Sequence, residues 1–578
     1  MEGSVSSLRP KRTRDWLVAA IFLIVTLMLW MPFGFDIADI SDTWVFFAGI
    51  EAGYFPVVSH DSRPFLGLMI HLAHALTPES WVGANVLAAA LLFLRSVSVY
   101  ALVNQIVPRG RWLAFASGIL SLVSAADTGT YWVTALNVQA PIVAWLIAAN
   151  LLLWHAASPR IGKLTGMTLA LLYAMTYESV FLPIALTPFL LLLSQGREKW
   201  RWSALWVIVP ALMLARYAYF VTQDQGGEYQ ASVLSFVPGE MLRALQRIYG
   251  QVLGNAWLNV VPTRASFSLD YALIAAVGAL LTGFIGWSLR KEQPESRRVV
   301  ILGILAFGLI GAGVAAILPT FYQDINYRTL FIAGVSGALL YACGLALLAW
   351  SSHRTKRLVF AIACCGVLLF DARAVMLAII IGGGAILFLN TRMLTTLALM
   401  ALVAMGLYSN LERHNLYVQV AARQAFLLRA MTRVVPDLRE DAVLIFYDDT
   451  PDLRGVWSFE ARRDVFEAAI RLLYADTTRT AAFCAPVEGW GFFEESCAWR
   501  DDGLVLSWAR GETLVLYDKL VVVQYDDTVG VRLMEMLPLE RAGDYAPRTQ
   551  LFSGAVPTGF LMPSPVDMPA PVPFSRLR

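Results

Sequence analysis

The sequence predicts a polytopic α-helical membrane protein of about thirteen transmembrane helices, followed by a C-terminal extracytoplasmic domain of α/β or α+β type. Three observations predict it. Hydrophobic residues make up 57% of the chain and charged residues only 15%, with a mean hydropathy of +0.59, whereas soluble domains average about half apolar and about a quarter charged. Apolar stretches near the ~20 residues that a bilayer requires recur throughout the chain before residue 411. After residue 410 the composition becomes that of a soluble domain, so the chain divides into 1–410 and 411–578. The net charge of +2, with basic residues in short clusters between apolar runs, argues against a nucleic-acid partner.

The spans are expected near 16–33, 81–106, 112–126, 131–155, 164–176, 180–194, 202–222, 271–290, 299–319, 329–350, 357–370, 374–390 and 393–410. The N-terminal "SSLRPKRTRDW" runs into a long apolar segment without a small-residue cleavage pattern, so it reads as a first span and not as a cleaved signal. Basic residues fall in every second loop: Arg9 to Arg14, Arg109 and Arg111, Arg160 and Lys163, then 197–201, 290–298, 353–357 and Arg392. Basic loops stay in the cytoplasm. The protein is therefore expected to be integral to the cytoplasmic membrane, with a cytoplasmic N-terminus and an extracytoplasmic C-terminal domain.

That orientation sorts the charges near membrane depth, where an ionisable group is costly and commonly functional. Asp36, Asp39, Asp42, Asp61, Arg63, Asp127, Glu178, Asp324, Arg328, Asp371 and Arg373 all map to the outer ends of spans and could share one cavity. Asp36, Asp371 and Arg373 are expected to be solvated loop residues. Glu178 has apolar neighbours on both sides in "AMTYESVFLP", where unpaired burial would cost several kcal/mol. Arg95 lies inside the second span and is given no role beyond pairing in the bundle. His71 and His74 are one helical turn apart and could ligate a metal with His60 and Asp61. The simpler reading puts them on the polar face of a short interfacial helix, because 64–77 is too short to span.

The loop at 223–270 carries an amphipathic stretch near 239–253, read as a helix on the outer leaflet, or alternatively as a gate for an acceptor or lipid tail. A linking helix near 412–434 leads into strands at "DAVLIFYDDT", "LVLSWARG" and "TLVLYDKLVVVQYDD", beside a helix at 461–474. Asp448, Asp449 and Asp452 read as turn formers. Cys484 and Cys497 are plausible disulfide partners in an oxidising compartment, while Cys343, Cys364 and Cys365 lie in spans and should be free thiols. The Pro-rich end, "PTGFLMPSPVDMPAPVPFSRLR", is expected to be poorly ordered.

The order "SDTWVFF", "SRPFLGLMIHLAHAL", "SAADTGTYWVTAL", "TYESVFLPIAL", "NYRTLFIAGVSGALL" resembles the GT-C superfamily of membrane glycosyltransferases, the group containing protein O-mannosyltransferases and aminoarabinose transferases. In that family a first outer loop carries an acidic motif, an Arg-Pro begins a helix, a Tyr/Lys-Glu-Ser motif opens a later span, and an arginine motif opens one further on. Here the acidic motif reads Ser41-Asp42-Thr43-Trp44, so Thr43 replaces the family's second Asp, and the arginine motif reads Tyr327-Arg328-Thr329-Leu330.

The resemblance implies that residues 1–410 are a GT-C-like catalytic domain that moves a sugar, with inversion, from a polyprenyl-phosphate donor to a lipid, glycan or protein acceptor outside the cytoplasm. Such a transfer needs a base for the acceptor proton and a cation for the departing phosphate. Asp42 is implied as the base, with Asp39 as fallback. Arg328 is implied as the phosphate contact with Arg63 second, and Glu178, Asp127 and Tyr177 as further substrate contacts. The resemblance fixes no cofactor, a divalent metal is left open, and no GxxxxGK[ST] nucleotide loop occurs. The alternative is a transporter or flippase of a lipid-linked or small polar substrate, which would favour internal repeats or broken helices. A scaffold presenting the outer domain is a third reading.

Overall fold

The structure, a computed structural model, describes residues 9–39, 42–58, 63–78, 80–107, 109–127, 129–193, 199–222, 236–258, 267–290, 294–315, 318, 327–350, 391–436, 438, 441–448, 459, 463–474, 476, 478–484, 496–508, 511–526 and 530–534. It is mainly helical. Six helical segments among the described residues are long and apolar enough to cross a membrane: Val82–Ile106, Val133–Ala157, Leu269–Leu289, Ser296–Val314, Leu330–Ala349 and Met393–Val434. Shorter apolar helices occupy Asp15–Trp30, Arg111–Leu122, Ile161–Ala174, Glu178–Leu190 and Trp206–Tyr219. The expected spans at 357–370 and 374–390, with Cys364, Cys365, Asp371 and Arg373, lie outside the described residues. Six full-length candidates thus stand against an expected count of about thirteen.

The helices that frame the candidate site are α1 (Arg9–Trp30), α2 (Thr43–Glu51), α3 (Leu68–Leu76), α4 (Val82–Ile106), α5 (Arg111–Leu122), α6 (Leu136–Ala157), α7 (Ile161–Ala174), α8 (Phe181–Leu186) and α9 (Lys199–Thr222). A short 3₁₀ turn, Val133–Ala135, leads into α6, and another, Glu178–Val180, leads into α8. Helix α10 (Pro238–Gly250) forms where the amphipathic stretch predicts one, with Pro238 at its first turn, a position that needs no N–H. Helices α11 (Leu269–Leu289), α12 (Ser296–Val314) and α13 (Tyr327–Trp350) follow.

Small residues let these helices approach closely. A Cβ on Gly118 of α5 would stand 2.6 Å from the Phe22 ring of α1 and 3.0 Å from the Ser96 carbonyl of α4. One on Gly406 would stand 2.1 Å from the Val123 carbonyl. An aromatic ring and a carbonyl fill the first gap, and backbone fills the second.

Gly406 lies on α14, Thr391–Val434, a single helix of 44 residues. This corrects the expected break between a span at 393–410 and a linking helix at 412–434. The polar run "SNLERHN" reads as an exit from the membrane, yet Asn410 and His414 are buried. Asn410 donates to the carbonyls of Val123 (3.3 Å) and Gly406 (2.8 Å), and the His414 ring packs flat on Tyr131 at 4.1 Å with Nδ1 2.7 Å from the Leu29 carbonyl. Buried partners replace water, so nothing ends the helix there.

Beyond α14 the chain forms two small sheets. In the first, strand order is β2 (Thr480–Cys484), β1 (Val443–Asp448), β6 (Leu520–Asp526), β7 (Gly530–Leu533). Strand β1 lies parallel to both neighbours, and β7 runs antiparallel to β6. Strands β3 (Ser496–Arg500), β4 (Gly503–Trp508) and β5 (Gly511–Leu516) form an antiparallel meander. Cys484 and Cys497 are disulfide-bonded with Cα atoms 5.8 Å apart, which staples β2 of one sheet to β3 of the other. Cys343 is a buried free thiol.

Helix α15 (Arg463–Leu473) packs on β2 and also against α2. Phe466 of this helix clusters with Phe446, Phe459 and Phe483, and the Phe459 ring lies 6.2 Å from Trp44. One apolar core therefore runs from the helical bundle into the sheet domain.

Candidate active site

The three acids of the first loop meet three different environments. Asp36 was expected to be solvated, and the structure corrects this. Its carboxylate accepts from the Trp81 backbone N–H (3.2 Å) and the Ser80 hydroxyl (3.3 Å), tying the loop to the first turn of α4. Helix N-termini present N–H groups without helical partners, and a carboxylate satisfies them.

Asp39 is buried at 2% exposure. One carboxylate oxygen accepts from the Thr43 N–H (3.1 Å) and the Thr134 hydroxyl (2.8 Å), and the other from the Val133 N–H (3.2 Å). Asp39 thereby clamps the start of α2 to the 3₁₀ turn before α6. Its own carbonyl accepts from the Trp44 indole at 2.7 Å. The buried Gln424 side chain of α14, with its amide nitrogen turned toward that carbonyl, donates to it at 3.0 Å and accepts from the Phe459 N–H at 3.0 Å. Burial raises the Asp39 carboxyl above its ordinary value; the Thr43 and Thr134 hydrogen bonds oppose the rise, and the nearby charge of Asp42 adds to it.

Asp42 is the residue before α2, half-buried, and its side chain does not cap the helix. Thr43, in place of a second acid, is fully buried, and its hydroxyl shares a 2.7 Å hydrogen bond with Thr134. A carboxylate at position 43 would sit in that same buried pocket beside Asp39.

The second cluster joins motifs 115 residues apart in sequence. Arg63 donates from Nε (2.9 Å) and Nη2 (2.6 Å) to one oxygen of Glu178. Its guanidinium lies 5.1 Å from the centre of the Tyr177 ring, a cation–π geometry. Phe181, the first residue of α8, packs edge-on against Tyr217 of α9 at 5.4 Å. Burial works against charge on Arg63, but Glu178 and then Tyr177 outweigh it and hold the guanidinium pKa above its ordinary value. The Arg63 side chain keeps 31% of its surface exposed. Arg328 begins α13, and its side chain lies outside the described residues, as do Asp61 and Asp324.

Asp127 is placed differently from the expected substrate contact. It is 2% exposed and pairs with Arg95 at 2.6 Å. Arg95 also donates to the Ser121 carbonyl (2.8 Å). Arg413 of α14, which sequence reasoning passed over, donates to the backbone carbonyls of Asp127 (3.0 Å) and Ala125 (2.9 Å). Arg95, which the sequence reading left without a role, is thus paired with one of the site candidates.

The histidines are engaged as well. His74 Nε2 lies 2.7 Å from Glu51, and His71 Nε2 lies 2.9 Å from the Phe55 carbonyl. Among the described residues no group of three His, Cys, Asp or Glu could hold a metal; His60 lies outside them. Thr134 and Gln424 are the positioning residues that the sequence did not single out. Thr134 lies within a motif stretch, whereas nothing in the local sequence of Gln424 points to the first loop.

No protein-family model and no curated protein matches the chain. Among solved structures, ArnT from Cupriavidus metallidurans bound to undecaprenyl phosphate is similar at 15% identity, covering 82% of this chain and 90% of that chain with a TM-score of 0.37. The same protein in the apo state is similar at 16% identity, covering 77% and 83%, with a TM-score of 0.38. At that level of superposition, what this chain does has to be read from its own residues.

Proposed function

We propose that the chain is a membrane glycosyltransferase that moves a sugar from a polyprenyl-phosphate donor to an extracytoplasmic acceptor. The observation that carries this reading is the Arg63–Glu178–Tyr177 cluster. Two sequence-distant motifs converge there on a part-exposed arginine whose charge is held by a carboxylate. The ordered sequence motifs and the anchored acidic loop support the same reading.

In the proposed step the acceptor hydroxyl oxygen attacks the anomeric carbon, and the bond from that carbon to the phosphate oxygen breaks. The electron pair leaves with the phosphate, and Asp42 takes the acceptor proton. The configuration at the anomeric carbon inverts. Arg63, presented by Glu178 and Tyr177, and Arg328 stabilise the charge that grows on the phosphate, because a guanidinium offers several N–H donors in one plane. Asp39 does not touch substrate in this scheme. It holds α2, and with it Asp42, against α6.

The test is to reconstitute the full chain in liposomes with a panel of polyprenyl-phosphate sugars and follow release of polyprenyl phosphate. Release with any donor is expected. Donor or sugar crossing the bilayer intact, with no bond cleaved, would replace this reading with the transporter.

A further inference from the structure

A cavity of about 360 Å³ lies at the opposite end of α4, between α1, α4 and α6, within the range of about 300–1,000 Å³ typical of ligand sites. The Gln105 end of α4 is about 35 Å from the Val82 end that meets Asp36, at about 1.5 Å per residue. The walls are apolar, with Val18 and Phe22 buried on α1 and Trp154 of α6 at the rim, 45% exposed.

The polar groups of its lining are Asp15, Tyr100, Asn104 and Gln105. Their hydrogen bonds leave a particular set of atoms to a ligand. Tyr100 donates its hydroxyl proton to Asp15 at 2.7 Å, so its phenol oxygen remains as an acceptor. Gln105 directs its amide nitrogen to the Asn150 side-chain oxygen (2.6 Å) and the Ala101 carbonyl (3.3 Å). What Gln105 has left is its carbonyl oxygen. The Asp15 carboxylate has a second oxygen. Asp15, Tyr100 and Gln105 therefore present three acceptors, one of them charged, beside the Asn104 amide in an apolar cleft at a helix-bundle end, and a primary ammonium offers three donors and a positive charge.

We propose that this cleft is a binding site for a bilayer lipid with a primary-ammonium headgroup, with the ammonium against Asp15, Tyr100 and Gln105 and the start of an acyl chain along Val18, Phe22 and Trp154. The site is independent of the proposed transfer reaction and of which way the chain faces.

Native mass spectrometry of the full-length protein, offered equal amounts of phosphatidylethanolamine, phosphatidylcholine and phosphatidylglycerol with matched chains, tests it. Phosphatidylethanolamine should be retained about tenfold over phosphatidylcholine, whose quaternary head cannot donate, as expected for one charge-assisted hydrogen bond. Asp15→Asn should abolish that preference, and Ala101→Phe, which fills the cleft, should lower retention of phosphatidylethanolamine. Equal retention of the three lipids would overturn the proposal. So would preference for phosphatidylglycerol, which would show that basic residues alone select, or an unchanged preference in Asp15→Asn. If Asp15→Asn fails to fold, the order of the three lipids on the native chain and the Ala101→Phe result decide.

Discussion

Asp39 and Asp42 lie three residues apart and differ in burial: Asp39 is buried among three donors, and Asp42 is half-buried at the start of α2. Asp39 has its oxygens committed to three donors, so Asp39→Asn must turn an N–H toward one of them and should destabilise the protein by about 1–3 kcal/mol. The pH dependence follows from its raised pKa. A group whose folded pKa lies above its unfolded value contributes stability below the unfolded pKa, and that contribution is lost as pH rises through the folded pKa. The melting-temperature deficit of Asp39→Asn should therefore be largest near pH 4 and narrow as pH rises; a deficit that widened with pH would show the folded pKa to be lowered. Asp36→Ala should cost about 1 kcal/mol through loss of the contact with the start of α4, whereas a freely solvated Asp36 would cost nothing measurable by thermal unfolding. Arg63→Lys keeps the charge but loses the paired donation to Glu178, so donor KM should rise about tenfold, the equivalent of about 1.5 kcal/mol for one charge-assisted hydrogen bond. Unchanged KM would limit Arg63 to holding the fold. These local roles were only partly legible in sequence. The residue types and their order suggested chemistry at Asp42, Arg63 and Glu178, but the buried partners of Asp36, Asp39 and Asp127 come from segments far away in the chain.

Among the elements, α14 shows most clearly where sequence reading stops. Hydropathy marks where a helix meets water, and a polar run inside a continuous helix looks like that boundary unless its side chains find buried partners. Asn410 and His414 do, against Val123 and Leu29. The Arg95–Asp127 pair is the same lesson between α4 and the segment after α5. Both side chains are at most 2% exposed, and removing one leaves a buried charge unpaired. Arg95→Met alone should destabilise the protein by about 3–5 kcal/mol, while the double change Arg95→Met with Asp127→Leu should recover most of that loss. Thermal unfolding of the single and double variants in one detergent checks it, and additive losses would mean that the two residues do not act as a pair. The amphipathic α10, by contrast, lay open in the sequence, because its periodicity and its proline are both local signals.

At the scale of the whole molecule, a helical bundle and a disulfide-stapled sheet domain share one core through Trp44, Phe459 and α15. The strands β2, β3 and β7 escaped sequence reading because they are short and gain their stability from neighbouring strands, whereas the long apolar runs of β1 and β6 announced themselves. Cys484→Ser with Cys497→Ser opens a bridge spanning 13 positions and should lower the stability of the sheet domain by about 3 kcal/mol, read as earlier cleavage by protease; an unchanged cleavage midpoint would show the bridge to be dispensable. The central claim is that Asp42 takes a proton from the acceptor during transfer from a polyprenyl phosphate. It is tested most directly by the rate of polyprenyl-phosphate release from a sugar donor in liposomes holding Asp42→Asn, beside the native chain at equal folded protein. The account predicts a fall of about 10²–10⁴-fold with donor binding retained, and a variant that turns over at the native rate would contradict it.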